Sequence, residues 1–115
     1  MPKAEREFFP ADEVDWTPSG GVAGLSERIL ALDPETGVAS RMLRFGPGTN
    51  TSAAGPQVHA FWEEVYILEG SLHDLTLKRA FTAGMYACRP PGMPHGPWVA
   101  PDGCLTFEVR YAARG

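Results

Sequence analysis

Glycine or proline interrupts this chain at about every fifth residue, with 13 glycines and 11 prolines among 115 positions. Glycine costs backbone entropy and proline lacks a backbone donor, so neither suits the interior of a long helix. The remaining segments are short and rich in β-branched and aromatic residues, and the most helix-like of them, Ala23 to Leu32, has only a weak apolar period. This predicts an all-β domain of about seven or eight short strands joined by tight turns. Ser26 to Leu32 and Val38 to Phe45 flank Asp33-Pro34-Glu35-Thr36-Gly37, whose proline and glycine suit a hairpin turn. Leu72 to Leu77, Met85 to Arg89 and Leu105 to Tyr111 are further predicted strands.

A chain of this length makes one domain. Residues 1–24 read as an irregular N-terminal arm and residues 25–115 as the β-strand domain. Phe8, Phe9 and Trp16 give the arm something to bury, against a sheet edge or a neighbouring subunit, and a homodimer is expected. The formal charge of -4 has no basic cluster beside it, which argues against a nucleic-acid partner. No apolar stretch reaches bilayer length and Met1-Pro2-Lys3-Ala4-Glu5 lacks a signal-peptide core, so no membrane partner and a cytoplasmic location are expected. Cys88 and Cys104 lack metal or disulfide-framework spacing and are expected as buried reduced thiols, with a disulfide or redox role as the alternative.

Two segments carry chemistry. The first runs from Gln57 through His59, Glu63 and Val65-Tyr66-Ile67-Leu68 to Gly70; the second is Gly84-x5-Pro90-Pro91-Gly92-x2-His95. Composition predicts that the first is a strand ending at Gly70. Gln57, His59, Phe61, Glu63, Val65 and Ile67 would then face one way, with Trp62, Glu64, Tyr66 and Leu68 on an apolar opposite face. Two imidazoles and a carboxylate are the donors that zinc and non-haem iron take, and His59, Glu63 and His95 would supply them. The Gln57 amide oxygen would be either a weak neutral fourth ligand or an outer hydrogen-bonding group. Taken singly, His59 reads as a surface histidine, Glu63 and Glu64 as a solvated acidic pair, and His73 as structural or surface. Arg89, Glu108 and Arg110 are placed to project inward toward a polar ligand, although a salt-bridged network is the commoner fate of such charges.

His-x3-Glu-x6-Gly, here His59, Glu63 and Gly70, followed by Gly-x5-Pro-x-Gly-x2-His, here Gly84, Pro90, Gly92 and His95, resembles the two signature motifs of the cupin superfamily. The second motif departs only at its final asparagine, which is Val99, while Gln57 stands where cupins usually have a leading histidine. The resemblance covers roughly residues 25 to 111 and looks like that of small single-domain bacterial cupins. It implies a double-stranded β-helix, or jelly-roll barrel. It also implies a divalent ion, iron, zinc, manganese or nickel, in a barrel mouth lined by Phe61, Val65, Ile67, Met93 and Trp98.

The expected function is metal-dependent chemistry on a small oxygenated organic substrate, possible as a dioxygenase with iron or as an isomerase or hydrolase with other metals, with Glu63 as ligand or as base. The rival readings are a non-enzymatic small-molecule or metal-sensing cupin domain and a metal-free structural cupin.

Overall fold

A computed structural model describes residues 3–112; the outermost two residues of the expected arm and three of the expected barrel domain lie outside the described residues. Among the described residues there are nine strands and no α-helix. They are β1 (Thr17–Pro18), β2 (Leu25–Leu32), β3 (Ala39–Phe45), β4 (Thr49–Asn50), β5 (Trp62–Asp74), β6 (Arg79–Thr82), β7 (Tyr86–Arg89), β8 (Trp98–Ala100) and β9 (Cys104–Tyr111).

One antiparallel sheet runs β1-β2-β3-β9-β5-β7. A second runs β4-β8-β5-β6. The expected jelly roll is what the chain forms, with β5 as the strand shared by both sheets. Sequence composition ends this strand at Gly70, but it continues to Asp74. Up to Gly70 it pairs with β9, and from Ser71 on it pairs with β6 and β8. The ladder with β9 shifts register between Ile67 and Glu69, and Gly70 sits at φ 78°, so the chain turns the corner between sheets at this point. Glycine here marks a corner inside a strand.

The predicted hairpin forms between β2 and β3, with Leu25 opposite Phe45 and Leu32 opposite Ala39. Ahead of it, β1 extends the sheet edge, and the guanidiniums of Arg28 and Arg44 lie 4.4 and 4.2 Å from the Trp16 ring centroid. Phe8, by contrast, is fully exposed.

Strand register sorts the inward side chains into levels. Phe45 faces Cys104 at one end; next comes Leu43 opposite Thr106 with Ile67 beyond it; then Arg41 opposite Glu108 and Val65; last, Ala39 opposite Arg110, which pairs across Glu63 to Arg89. Apart from Thr106, the first levels are apolar. Together with Leu72, Trp98 and Ala100 they form the core, on which Leu25 and Phe81 pack. Each large aliphatic or aromatic side chain buried there contributes about 1.5–3 kcal/mol. The last levels are charged, so each strand carries its core at one end and its polar chemistry at the other.

The opposite face of β5 is not packed on the second sheet: Tyr66 and Leu68 are 45% and 40% exposed. Trp62 stacks on Tyr111 at 6.3 Å, and the Tyr86 hydroxyl donates to Glu64. Glu64 therefore points away from Glu63, and the two do not form an acidic pair. On β7 the same alternation turns Arg89 inward and Cys88 outward, since Glu63 is opposite the first and Glu64 opposite the second. Cys88 is exposed, contrary to the expectation of two buried thiols, while Cys104 is buried. Burial, reinforced by Glu108, pushes the Cys104 thiol up to about 11. At neutral pH Cys88 should accordingly be alkylated readily and Cys104 only on unfolding, which mass spectrometry of iodoacetamide-treated native protein checks.

Candidate metal and ligand site

The two motifs meet because their backbones pair. Outside the sheets, Gln57 and His95 form an isolated antiparallel bridge, with N–H to O distances of 2.7 and 2.9 Å, and Gly92 N–H donates to the His59 carbonyl at 2.8 Å. Residues 57–61 are therefore loop, not the strand predicted from their composition, and β5 starts at Trp62. The departure has a physical reason: this segment spends its backbone groups on the Gly92–His95 turn instead of a sheet ladder. His59 is fixed further by its ring, stacked on Phe61 at 4.5 Å and 12°.

His59, Glu63 and His95 converge, with one donor atom from each lying within 4.8 Å of the others. Nε2 of His59 stands 3.9 Å from Glu63 Oε2, and Nε2 of His95 is 3.7 Å from Glu63 Oε1. Donors around one ion with bonds of about 2.0–2.2 Å stand about 3–3.5 Å apart, so small side-chain rotations bring this set into coordination range. The two neutral nitrogens and one carboxylate are the donor chemistry of a divalent metal, and the residues fit one. Gln57 contributes its backbone to the bridge, while its side-chain N–H donates to the Gly55 carbonyl at 3.3 Å.

These donors open on a chamber of about 350 Å³ whose walls are far more polar than the sequence suggested. Of the expected apolar lining, Val65 and Trp98 face it, while Ile67 and Met93 line an adjoining apolar groove of about 620 Å³ that shares Val65, Leu72, Arg89, His95 and Trp98 with it. Phe61 backs His59 and carries the Arg110 guanidinium over its ring at 4.9 Å. The Trp98 backbone is held by Thr51, whose hydroxyl accepts the Trp98 main-chain N–H at 2.8 Å.

Three arginines and three glutamates line the chamber: Arg41, Arg89, Arg110, Glu27, Glu63 and Glu108. Arg41 bonds Glu27 at 2.9 Å and Glu108 at 2.9 and 3.1 Å, and the Thr106 hydroxyl donates to Glu108 at 2.9 Å. Burial alone lowers the Arg41 pKa, but Glu108 and Glu27 more than offset it and raise it. Arg89 donates to Glu63 Oε1 at 3.0 Å. Arg110 Nε lies 3.8 Å from Glu63 Oε2, too far to bond, and is buried without a hydrogen-bond partner. Arg89, Glu108 and Arg110 thus do project inward; Arg89 and Glu108 also join a salt-bridged network, while Arg110 stands at its margin. Sequence reading missed Arg41, Glu27 and Thr106. The available signal was parity: Arg41 shares its strand face with Ala39, Leu43 and Phe45, all of them inward. His73 is exposed on β5, as a surface residue would be.

Burial lowers the pKa of both imidazoles. For His95 burial comes first, then the Arg89 guanidinium and His59, and the value falls to about 4. His59 moves the same way through burial, partly opposed by Glu63. Between that value and the ordinary value of about 6.5, the unfolded chain takes a proton that folded His95 refuses. This group therefore costs nothing above about pH 6.5, and its penalty grows as pH falls toward about 4. The urea midpoint of metal-free protein should be lower at about pH 5 than at about pH 7, and His95→Gln should shrink that difference.

A profile of one family, described as the ChrR cupin-like domain, matches residues 4–113. The chain belongs to that cupin family. Solved cupin structures agree in fold. An RmlC-like cupin from Shewanella frigidimarina superposes with a TM-score of 0.75 at 23% identity, covering 99% of this chain and 96% of that one. An acetylacetone dioxygenase from Acinetobacter johnsonii gives 0.73 at 17% identity, covering 95% and 74%. The complex of Rhodobacter sphaeroides SigE with the anti-sigma ChrR gives 0.65 at 24% identity, over 87% of this chain and 50% of the matched one. At these identities the likeness is one of fold. No curated protein matches the sequence. Among the described residues no helix of this cupin is long and apolar enough to cross a membrane.

Proposed function

We propose that this cupin binds a divalent metal through His59, Glu63 and His95, takes a small oxygenated organic molecule into the adjoining chamber, and with iron acts as a dioxygenase. The observation that carries this reading is the convergence of those three donors, His59 and Glu63 from one segment and His95 from another, at the wall of one cavity. A bound metal would supply Lewis acidity and, as iron, a centre for dioxygen chemistry, and three protein donors leave coordination positions free for small ligands. An acetylacetone dioxygenase among the structural neighbours is consistent with it.

The chain's own residues divide the remaining work. Val65, Leu72 and Trp98 exclude water from one wall. Arg89 holds Glu63 by Oε1, so Oε2 is the freer oxygen for a metal, or, were Glu63 to act as base instead of ligand, the atom that would accept a proton from substrate. Oxygen uptake by iron-loaded protein with β-diketones and phenolics tests the proposal: consumption matched to substrate loss supports it. Binding without turnover supports the second reading, a ligand- or metal-sensing domain, which the match to the ChrR cupin-like family favours. Protein purified without an affinity tag that takes up no stoichiometric metal would defeat the metal-dependent reading.

A further inference from the structure

The charges around the chamber set the kind of molecule it takes. The chamber wall sets three guanidiniums against three carboxylates, and the imidazoles that would hold a metal are neutral as its ligands. The chamber is then electrically balanced. A divalent ion on Glu63 adds two positive charges to a half-enclosed space where charge is poorly screened, and no carboxylate in the wall remains to offset them. The counter-charge has to arrive with the ligand.

The three arginines are not equivalent as receivers. Arg41 bonds Glu27 or Glu108 through each of its three nitrogens, and Arg89 is committed to Glu63 and lies over Trp98 at 5.2 Å. Arg110 is the one left over. Its Nε is buried and unpartnered, 3.8 Å from the Glu63 oxygen that Arg89 does not hold, and Phe61 supports its ring-facing side. A buried charged donor without an acceptor is costly, and a planar guanidinium matches a two-oxygen acceptor. From this arrangement we infer that the substrate enters as an oxyanion, a carboxylate or an enolate, and that Arg110 donates to it beside the metal ligands. The inference rests on the metal-binding reading above and adds to it the substrate's charge and its receiving residue.

Metal and anion should therefore bind cooperatively, each relieving the charge imbalance that the other leaves. The test is calorimetric titration of the whole chain, zinc-loaded and metal-free, with benzoate and pyruvate against their neutral amides, benzamide and pyruvamide. Zinc-loaded wild type should bind the carboxylates at least about tenfold more tightly than the amides, and metal-free protein should discriminate less. A carboxylate can prefer zinc for its own sake, so Arg110→Met separates the contributions: the variant should keep zinc affinity within about threefold and lose most of the preference. Arg110→Lys should retain part of it, which guards against a folding defect in the methionine variant.

Equal affinity for acids and amides in zinc-loaded wild type overturns the inference, as does absence of carboxylate binding at millimolar concentration. Full preference in folded Arg110→Met overturns the role of Arg110. Failure of wild type to take up zinc would overturn the metal reading and this inference with it, whereas zinc uptake without discrimination overturns this inference alone.

Discussion

Glu63→Ala lowers zinc or iron content at least about tenfold and also destabilises the metal-free protein by about 3 kcal/mol. Both effects have one origin. Glu63 is 3% exposed, contributes the only carboxylate of the three converging donors, and is the anion nearest two guanidiniums. Removing one partner of a buried ion pair costs about 3–5 kcal/mol because the other charge stays behind, and the opening of this chamber places the cost at the lower end. His95→Ala should cause a comparable loss of metal without that destabilisation, since His95 is a neutral ligand and neutralises no charge. Gln57→Ala should cost less metal than either, because a neutral amide coordinates weakly. Elemental analysis of protein purified without a tag, combined with urea denaturation after chelation, measures both effects. If all three variants lost metal equally, the amide would be a full ligand.

Gly70→Ala should lower the melting temperature by more than about 10 °C, through a cost of at least about 3 kcal/mol. A Cβ at this position would overlap the Gly103 carbonyl oxygen and stand 2.9 Å from the Cα of Cys104. These are backbone atoms of the neighbouring strand and its turn, so no side-chain rotation relieves the clash. Gly37 supplies the control, because it has the same φ of 78° and a Cβ there would meet nothing within 4 Å. Gly37→Ala should cost only the left-handed backbone penalty of about 1–2 kcal/mol. Thermal melts of the two variants side by side isolate the steric part, and equal shifts would mean that the β5 corner tolerates a side chain.

Much of this molecule can be read along the chain. The Asp33–Gly37 turn announces its hairpin, and the alternation of Glu63, Val65 and Ile67 announces which side of β5 is buried. The His59, Glu63 and His95 set follows from donor chemistry and the two motif spacings. Other features escape a linear reading. Composition made residues 57–61 a strand, because it cannot register that Gln57 and His59 give their backbone groups to His95 and Gly92. Cys88 looked buried because its short edge strand offers too few residues to reveal its parity, which only the pairing of Arg89 with Glu63 decides.

The charged chamber shows where the division falls. Period-two patterning tells which residues of a strand share a face, since successive side chains must point to opposite sides of the pleat. It carries no information about how far one strand slides against the next. That sliding, set by the corner at Gly70 and by long-range ladders, puts Arg41 level with Glu108, and Arg110 and Arg89 on either side of Glu63. Strand identity and donor chemistry are local properties of the residues, whereas the balance of charge around the donors exists only once the strands are in register.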